Sequence, residues 1–151
     1  MADPRGEMRV IADGLLQYEA DFAPVTVTAA MIADYARAVG DMATLAGPLA
    51  EAPPTFCLAL RGGPGPGIPL PPTMFSLYGG HEIEIHRPIR AGERYAIHAR
   101  VVDVYEKSGR SGSLMVVVRE STIRDESGQA VARVVERQII RERPDGGGAT
   151  D

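Results

Sequence analysis

The 151-residue sequence has one cysteine and no tryptophan, and its aromatic content is only 5%. A single cysteine, Cys57, cannot form an internal disulfide, so nothing argues for a secreted disulfide scaffold. No apolar run approaches the ~18 residues needed to span a bilayer. The N-terminal stretch MADPRGEMRV leads into no apolar signal region. We therefore expect a cytoplasmic protein with no membrane partner.

A strong excess of either charge is also missing. Sixteen basic and twenty acidic residues give a formal net charge of −4, and the basic residues are scattered, so nucleic acid is not an expected partner. The three histidines lack acidic neighbours at ligand spacing, so no metal site is expected. The segment Gly62–Gly67 lacks the Lys-Ser/Thr ending and the helix of a phosphate loop. We expect no cofactor.

One helix is clearly present. Ile32, Tyr35, Ala36 and Val39 follow the spacing of an apolar helix face. Thr28 is a plausible N-cap, and Gly40 is a suitable stop. The pattern predicts a helix over about 28–39. Residues 41–72 are rich in proline and glycine and predict an irregular segment, with a short helix possible at 55–60.

Strand-forming patterns begin after Gly80. Alternating or continuous apolar residues predict strands near 82–86, 95–105, 114–118 and 131–140, separated by glycine-containing turns. One helix followed by long antiparallel strands predicts an α+β domain, with the sheet wrapped around that helix. We assign a weakly structured N-terminus to 1–17, the domain to 18–142 and a disordered tail to 143–151.

Three segments carry a resemblance to a known family: Ile32–Asp41, which ends in Gly40-Asp41; Ala52-Pro53-Pro54-Thr55-Phe56; and Gly79–Gly112, which contains His86-Arg87-Pro88 and Lys107-Ser108-Gly109-Arg110-Ser111-Gly112. They resemble MaoC-like acyl dehydratases, in particular the N-terminal, FAS1-like dehydratase domain. Residues 68–74 are also similar to the N-terminal half of mesaconyl-CoA hydratases. The resemblance covers about 18–141 and implies a single hot-dog fold.

The resemblance also implies a chemistry. The family hydrates or dehydrates the 2,3 bond of an acyl thioester on coenzyme A or acyl carrier protein. An Asp and a His just after the central helix act as acid and base, and a backbone N–H at a helix start polarises the thioester carbonyl. This sequence keeps Gly40-Asp41, but the family's Asn-Pro-x-His motif does not follow. We therefore expect the chain to be non-catalytic by itself.

Few residues remain as site candidates. Asp41, His81 and His86 are weak catalytic candidates, although Asp41 can equally cap a helix, and strict alternation puts His81 and His86 on opposite faces. Two further sets of residues have both a functional and a purely structural interpretation. The first set, Phe56, Met74 and Phe75, fits either an acyl slot or ordinary packing. The second, Arg87, Arg90 and Arg110, fits either contact with a phosphate of coenzyme A or the carrier protein, or exposure to solvent.

Three hypotheses follow. The chain is an auxiliary subunit that shapes the acyl pocket beside a catalytic MaoC-type partner, because a lone hot-dog leaves a sheet edge uncovered. Alternatively, it is a self-sufficient homodimeric enoyl-CoA hydratase that uses Asp41 with His81 or His86 of the other chain. The third hypothesis is a non-enzymatic module that binds acyl thioesters.

Overall fold

The computed structural model describes residues 4–62, 70–110 and 112–143. Its elements in chain order are α1 (Pro4–Leu16), β1 (Glu19–Thr26), α2 (Ala29–Val39), α3 (Met42–Ala46), a 3₁₀ helix (Pro54–Leu60), β2 (Met74–Ile85), β3 (Arg94–Gly109), β4 (Gly112–Arg124) and β5 (Ala130–Glu142). The Gly63–Pro69 part of the irregular segment lies outside the described residues, and so does the tail beyond Arg143.

The five strands form one antiparallel sheet in the order β1-β3-β4-β5-β2. Strands β3, β4 and β5 are joined by tight turns, the first of which pairs Gly109 with Gly112. Strands β1 and β2 are the two edges. The α+β class and the hot-dog arrangement predicted from the sequence are therefore confirmed.

Helix α2 forms as predicted, because both of its ends are encoded locally. The Thr28 hydroxyl accepts a hydrogen bond from the Met31 N–H at 3.2 Å, which satisfies one of the free donors at a helix start. Gly40 ends the helix in the left-handed conformation at φ 75°, which glycine adopts without steric cost. Between these ends, Ile32 and Ala36 are fully buried.

Helices α1 and α2 and the 3₁₀ helix lie against one face of the sheet, which we call the covered face; the other is the open face. Two apolar clusters fill the covered face. The first lies beneath α2 and the 3₁₀ helix and contains Ile32, Phe56, Cys57, Tyr95, Ile97, Ile123 and Val134. The second lies beneath α1 and contains Met8, Leu15, Met74, Val101, Met115, Val117 and Ile140.

Two elements differ from the sequence prediction. Helix α1 forms where weak structure was expected, because Met8, Ile11, Ala12 and Leu15 make an i, i+3, i+4, i+7 stripe that packs on the second cluster. Strand β1 was not predicted. Its sequence EADFAPVT alternates poorly, and its pairing with β3 shifts register between Phe22 and Val25, where a bulge breaks the period of two.

Candidate functional site

Asp41, the first catalytic candidate, is the N-cap of helix α3. Its Oδ1 accepts a hydrogen bond from the Thr44 N–H at 3.0 Å, and its Oδ2 accepts one from the Thr44 hydroxyl at 2.7 Å. These bonds, the hydroxyl first, hold the pKa of the Asp41 carboxyl below its usual value. A general acid or base must exchange protons near neutral pH, whereas this carboxyl is kept ionised at the start of α3.

The histidine candidates lie apart from Asp41. His81 is on β2, opposite Glu136 of β5, and its Nδ1 contacts the Tyr78 hydroxyl. His86 follows β2 and lies 3.6 Å from the Glu84 carboxylate. Within the described residues, neither histidine hydrogen bonds or pairs with Asp41, so one copy of the chain does not bring these three candidates together.

The three acyl-slot candidates are also separated. Phe56 is buried in the first cluster, with its ring edge-on to Tyr35 at 5.4 Å. Met74 is buried in the second cluster. Phe75 pairs with Arg141 on the open face of the sheet, and the Arg143 guanidinium lies 5.7 Å from its ring centre. The structure does not bring the three together into one slot.

Arg87, from the His-Arg-Pro motif, connects two loops of the sheet through hydrogen bonds. Its guanidinium donates to Glu93 and Asp125, each at 2.9 Å, and so joins the β2–β3 connection to the β4–β5 turn. Arg90 pairs with Glu51 at 3.2 Å. Arg110 is exposed at the β3–β4 turn.

The polar groups that do converge lie elsewhere, on the covered face beside Val117. A cavity of about 280 Å³ opens there. Its walls come from β2, β4 and β5, and consist of Ser76, Tyr78, Val117, Arg119, Glu136, Arg137 and Gln138.

Arg119 and Glu136 form the floor of this cavity. They are directly opposed on β4 and β5, and Arg119 Nη1 lies 3.5 Å from Glu136 Oε2. Arg119 Nη2 also donates to the carbonyl oxygens of Arg61, at 3.3 Å, and Gly62, at 3.2 Å. The Arg61 Nε approaches the same Glu136 oxygen at 3.4 Å. The end of the 3₁₀ helix is therefore fixed to the sheet at this point.

A β-bulge brings Tyr78 and His81 to the rim of the cavity. Gly79 and Gly80 of β2 lie opposite the single residue Arg137 of β5, and Gly80 has φ 101°. Residues three apart on a regular strand face opposite sides. The extra residue turns both side chains to the covered face, where they touch.

Sequence reasoning missed Arg119, Glu136 and Tyr78. One local signal was available, because Arg119 directly ends the apolar run Leu114–Val118 and continues the covered-face series Met115, Val117, Ser121 and Ile123. A charged residue at a core-facing position of a central strand is unusual and indicates a partner or a site.

Among the described residues, no group of three His, Cys, Asp or Glu side chains is arranged to hold a metal ion. Within those same ranges, no helix is long and apolar enough to cross a membrane.

Several solved structures have this fold. A chain of the ChsH1–ChsH2 complex from Mycobacterium tuberculosis superposes with a TM-score of 0.66 at 17% identity, covering 97% of this chain and 98% of that one. The R-hydratase PhaJ1 from Pseudomonas aeruginosa gives 0.61 at 15% identity, over 93% and 96%. The HadBC 3R-hydroxyacyl-ACP dehydratase complex from M. tuberculosis gives 0.58 at 18%, over 81% and 94%.

Among curated protein sequences, none matches this one. The family model described as FAS1-like, dehydratase domain region, matches residues 18–134, which is most of the chain and spans β1 to the middle of β5. The chain therefore belongs to this family of MaoC-like dehydratase domains and has the hot-dog fold.

Proposed function

We propose that this chain is the auxiliary, non-catalytic subunit of an enoyl-thioester hydratase or 3-hydroxyacyl-thioester dehydratase. One observation carries the proposal: Asp41 holds the family's acidic position, yet both of its carboxylate oxygens are bonded to Thr44. The following residues 42–50 include no histidine. The chain thus keeps the fold and lacks the acid–base pair.

The edge of the sheet supports the requirement for a partner. On β2, Leu77 is 45% exposed, Tyr78 61% and Ile85 36%. Exposed apolar residues on an edge strand with unpaired backbone groups favour association. Two of the similar structures are complexes of hot-dog chains.

In this proposal the two chains have different roles in the reaction. The partner supplies the Asp and His that move the water proton, and this chain supplies a rigid wall of the acyl pocket and limits the length of the acyl group. The acyl thioester is carried on coenzyme A or on acyl carrier protein.

The test is to co-express the chain with the MaoC-type chain encoded nearest to it and to assay crotonyl-CoA hydration by each protein alone and by the mixture. We expect a co-eluting complex and activity only in the mixture. Activity of this chain alone would support the homodimeric enzyme instead. If this chain binds the thioester but neither it nor the mixture turns the thioester over, the result would support the binding module.

A pair of variants makes the test specific to the edge strand. Leu77→Lys introduces a charge on β2 and should reduce complex formation, since lysine on an edge strand opposes pairing. Val102→Lys is the control, because Val102 is also exposed, at 39%, but lies on β3, which is paired on both sides and is not an edge strand. Equal effects of the two substitutions would argue against the β2 edge as the interface.

A further inference from the structure

The third histidine, His98, lies between two carboxylates at the β1 edge of the sheet. On the open face of β3, its Nδ1 is 2.8 Å from Asp21 Oδ1 and its Nε2 is 2.9 Å from Glu19 Oε1. Both acids belong to β1, where Asp21 is directly opposite His98. Each nitrogen of the ring therefore faces a hydrogen-bond acceptor.

This arrangement requires a proton on both ring nitrogens. An ionised carboxylate can only accept hydrogen bonds, and a neutral imidazole has one N–H group and one lone pair. The imidazolium has two N–H groups and can donate to both carboxylates at once. When one proton is removed, one carboxylate faces a lone pair, and that contact is lost. Imidazoles change charge between about pH 5 and pH 8.

The neighbouring charged groups on β3 and β4 have other partners. Thr122 of β4 is directly opposite His98 and is flanked on the same face by Glu120 and Arg124. Arg124 donates to a carbonyl oxygen of the β4–β5 turn at 3.1 Å. Arg100, the next residue of β3 on this face, pairs with Glu120 at 3.3 Å. The two carboxylates of β1 therefore depend on the histidine for their contact with β3.

These carboxylates lie at the junction between α1 and the sheet. Glu19 directly follows Tyr18, whose carbonyl oxygen accepts a hydrogen bond from the Val101 N–H at 3.0 Å. The Tyr18 ring lies 6.0 Å from the Arg119 guanidinium on the cavity floor. Helix α1 itself packs on the sheet through its apolar stripe. The start of β1 therefore helps to hold both α1 and the Tyr18 ring in place.

We propose that Glu19, Asp21 and His98 form a pH-sensitive clasp at the β1 edge. The protonated ring holds the start of β1 against β3, and loss of a proton releases one carboxylate and loosens the α1–β1 junction. A contact that needs the protonated ring is complete at acidic pH and is lost as the pH rises through the titration of the ring. The proposal concerns the edge opposite to β2, so it goes beyond the proposed function and does not rest on it.

Hydrogen–deuterium exchange of the purified chain tests the clasp. Exchange is measured at about pH 5.5 and about pH 7.5, on either side of the imidazole titration and where ordinary carboxyls are ionised. Each rate is divided by the rate of the unfolded peptide at the same pH, which gives a protection factor. We expect the protection of 18–22 to fall about threefold relative to that of β4 as the pH rises, because exposed ion pairs contribute less than about 1 kcal/mol.

Two substitutions of His98 separate charge from shape. His98→Gln should lower the protection of 18–22 at acidic pH to the value of the wild type at the higher pH, and should remove the pH dependence. His98→Arg has donors at every pH and should keep the protection high under both conditions. If His98→Gln does not fold, Asp21→Asn replaces it, because the Asp21 side chain is 88% exposed, and it should reduce the pH dependence.

His86→Gln is the matched control. His86 is also exposed, and it lies 3.6 Å from a single carboxylate, that of Glu84, so the pH dependence of 18–22 should persist in this variant. The proposal is overturned if the protection of 18–22 does not change with pH, or if it changes in step with that of β4. The same holds if the change survives His98→Gln or disappears in His86→Gln.

Discussion

Arg87 and Asp125 are 38 positions apart in sequence, and Arg87 Nη2 donates to Asp125 Oδ2 at 2.9 Å. The same guanidinium donates to Glu93 at 2.9 Å, and the Tyr95 hydroxyl donates to that glutamate at 2.7 Å. Two connections of the sheet, β2–β3 and β4–β5, therefore meet at one arginine, which explains why the His-Arg-Pro motif is a structural feature of this chain.

Arg87→Ala should lower the free energy of unfolding by about 1 kcal/mol, less than is typical of hydrogen bonds to charged groups, because the arginine is partly exposed. Urea unfolding measures the change. Arg37→Ala is the control, because its ion pair with Asp34 is 66% and 78% exposed and contributes little. Equal losses in the two variants would contradict the assignment.

Acid should weaken the same junction. Hydrogen bonds from Ser127 and then from Arg87 lower the pKa of Asp125 from 3.8 to about 2. A carboxyl whose pKa is lower in the folded state contributes stability that is complete above its unfolded pKa and is lost as the pH falls to the folded value. The stability difference between the wild type and Asp125→Asn should therefore be constant above about pH 5 and shrink between pH 4 and pH 2.

Gly62 is required by a close approach as well as by its backbone. An added Cβ would lie 2.5 Å from Phe22 Cε2, and φ is 84°. Gly128 has the same φ of 84° with open space around it. Gly128→Ala should cost about 1 kcal/mol of stability from backbone strain alone, and Gly62→Ala about 1–3 kcal/mol more from overpacking. If thermal unfolding shows similar losses of stability for Gly62→Ala and Gly128→Ala, the Phe22 ring moves away from the added methyl group at little cost.

Asp41 should matter for stability and not for chemistry. Asp41→Asn keeps a side chain that caps helices well, so both the melting temperature and the activity of the reconstituted complex should stay close to wild type. Asp41→Ala removes the cap on α3 and should lower the melting temperature. A large loss of activity in Asp41→Asn, with the fold intact, would return Asp41 to the catalytic machinery.

Cys57 should be an inert thiol. It is fully buried in the first cluster, and burial raises its pKa to about 11. The thiolate is the reactive form, so labelling by a thiol reagent at pH 8 should be slow in the folded chain and fast in urea. Rapid labelling of the folded protein would indicate that the cluster opens.

The sequence predicted those parts of the fold that are encoded locally. Helix α2 has its cap, its stop and its apolar stripe within thirteen residues, from Thr28 to Gly40. Strand β1 was missed because a bulge and Pro24 obscure its alternation. Helix α1 was missed although its stripe is visible, because its apolar partners, such as Met115 and Ile140, are far away in the sequence.

The candidate site was harder to predict for the same reason. The β4–β5 turn was recognised, but opposing Arg119 to Glu136 requires the register of the whole hairpin, including its shift near Arg124. A one-residue error in register moves every side chain to the other face. The lack of a histidine among residues 42–50, in contrast, is read directly from the sequence, and the proposal of a non-catalytic chain rests on it.

The bulge at Gly79 and Gly80 divides β2 into two segments with independent phase. On the side of Met74, even-numbered residues face the helices; on the side of Ile83, odd-numbered ones do. Substitutions at Ser76 or Tyr78 in the first segment can therefore change the rim of the cavity. Ile83 in the second segment stays packed against the first cluster, beneath α2 and the 3₁₀ helix. The first segment can thus change at Ser76 and Tyr78 without moving Ile83 of the second segment, whereas Met74 is held by its burial in the second cluster.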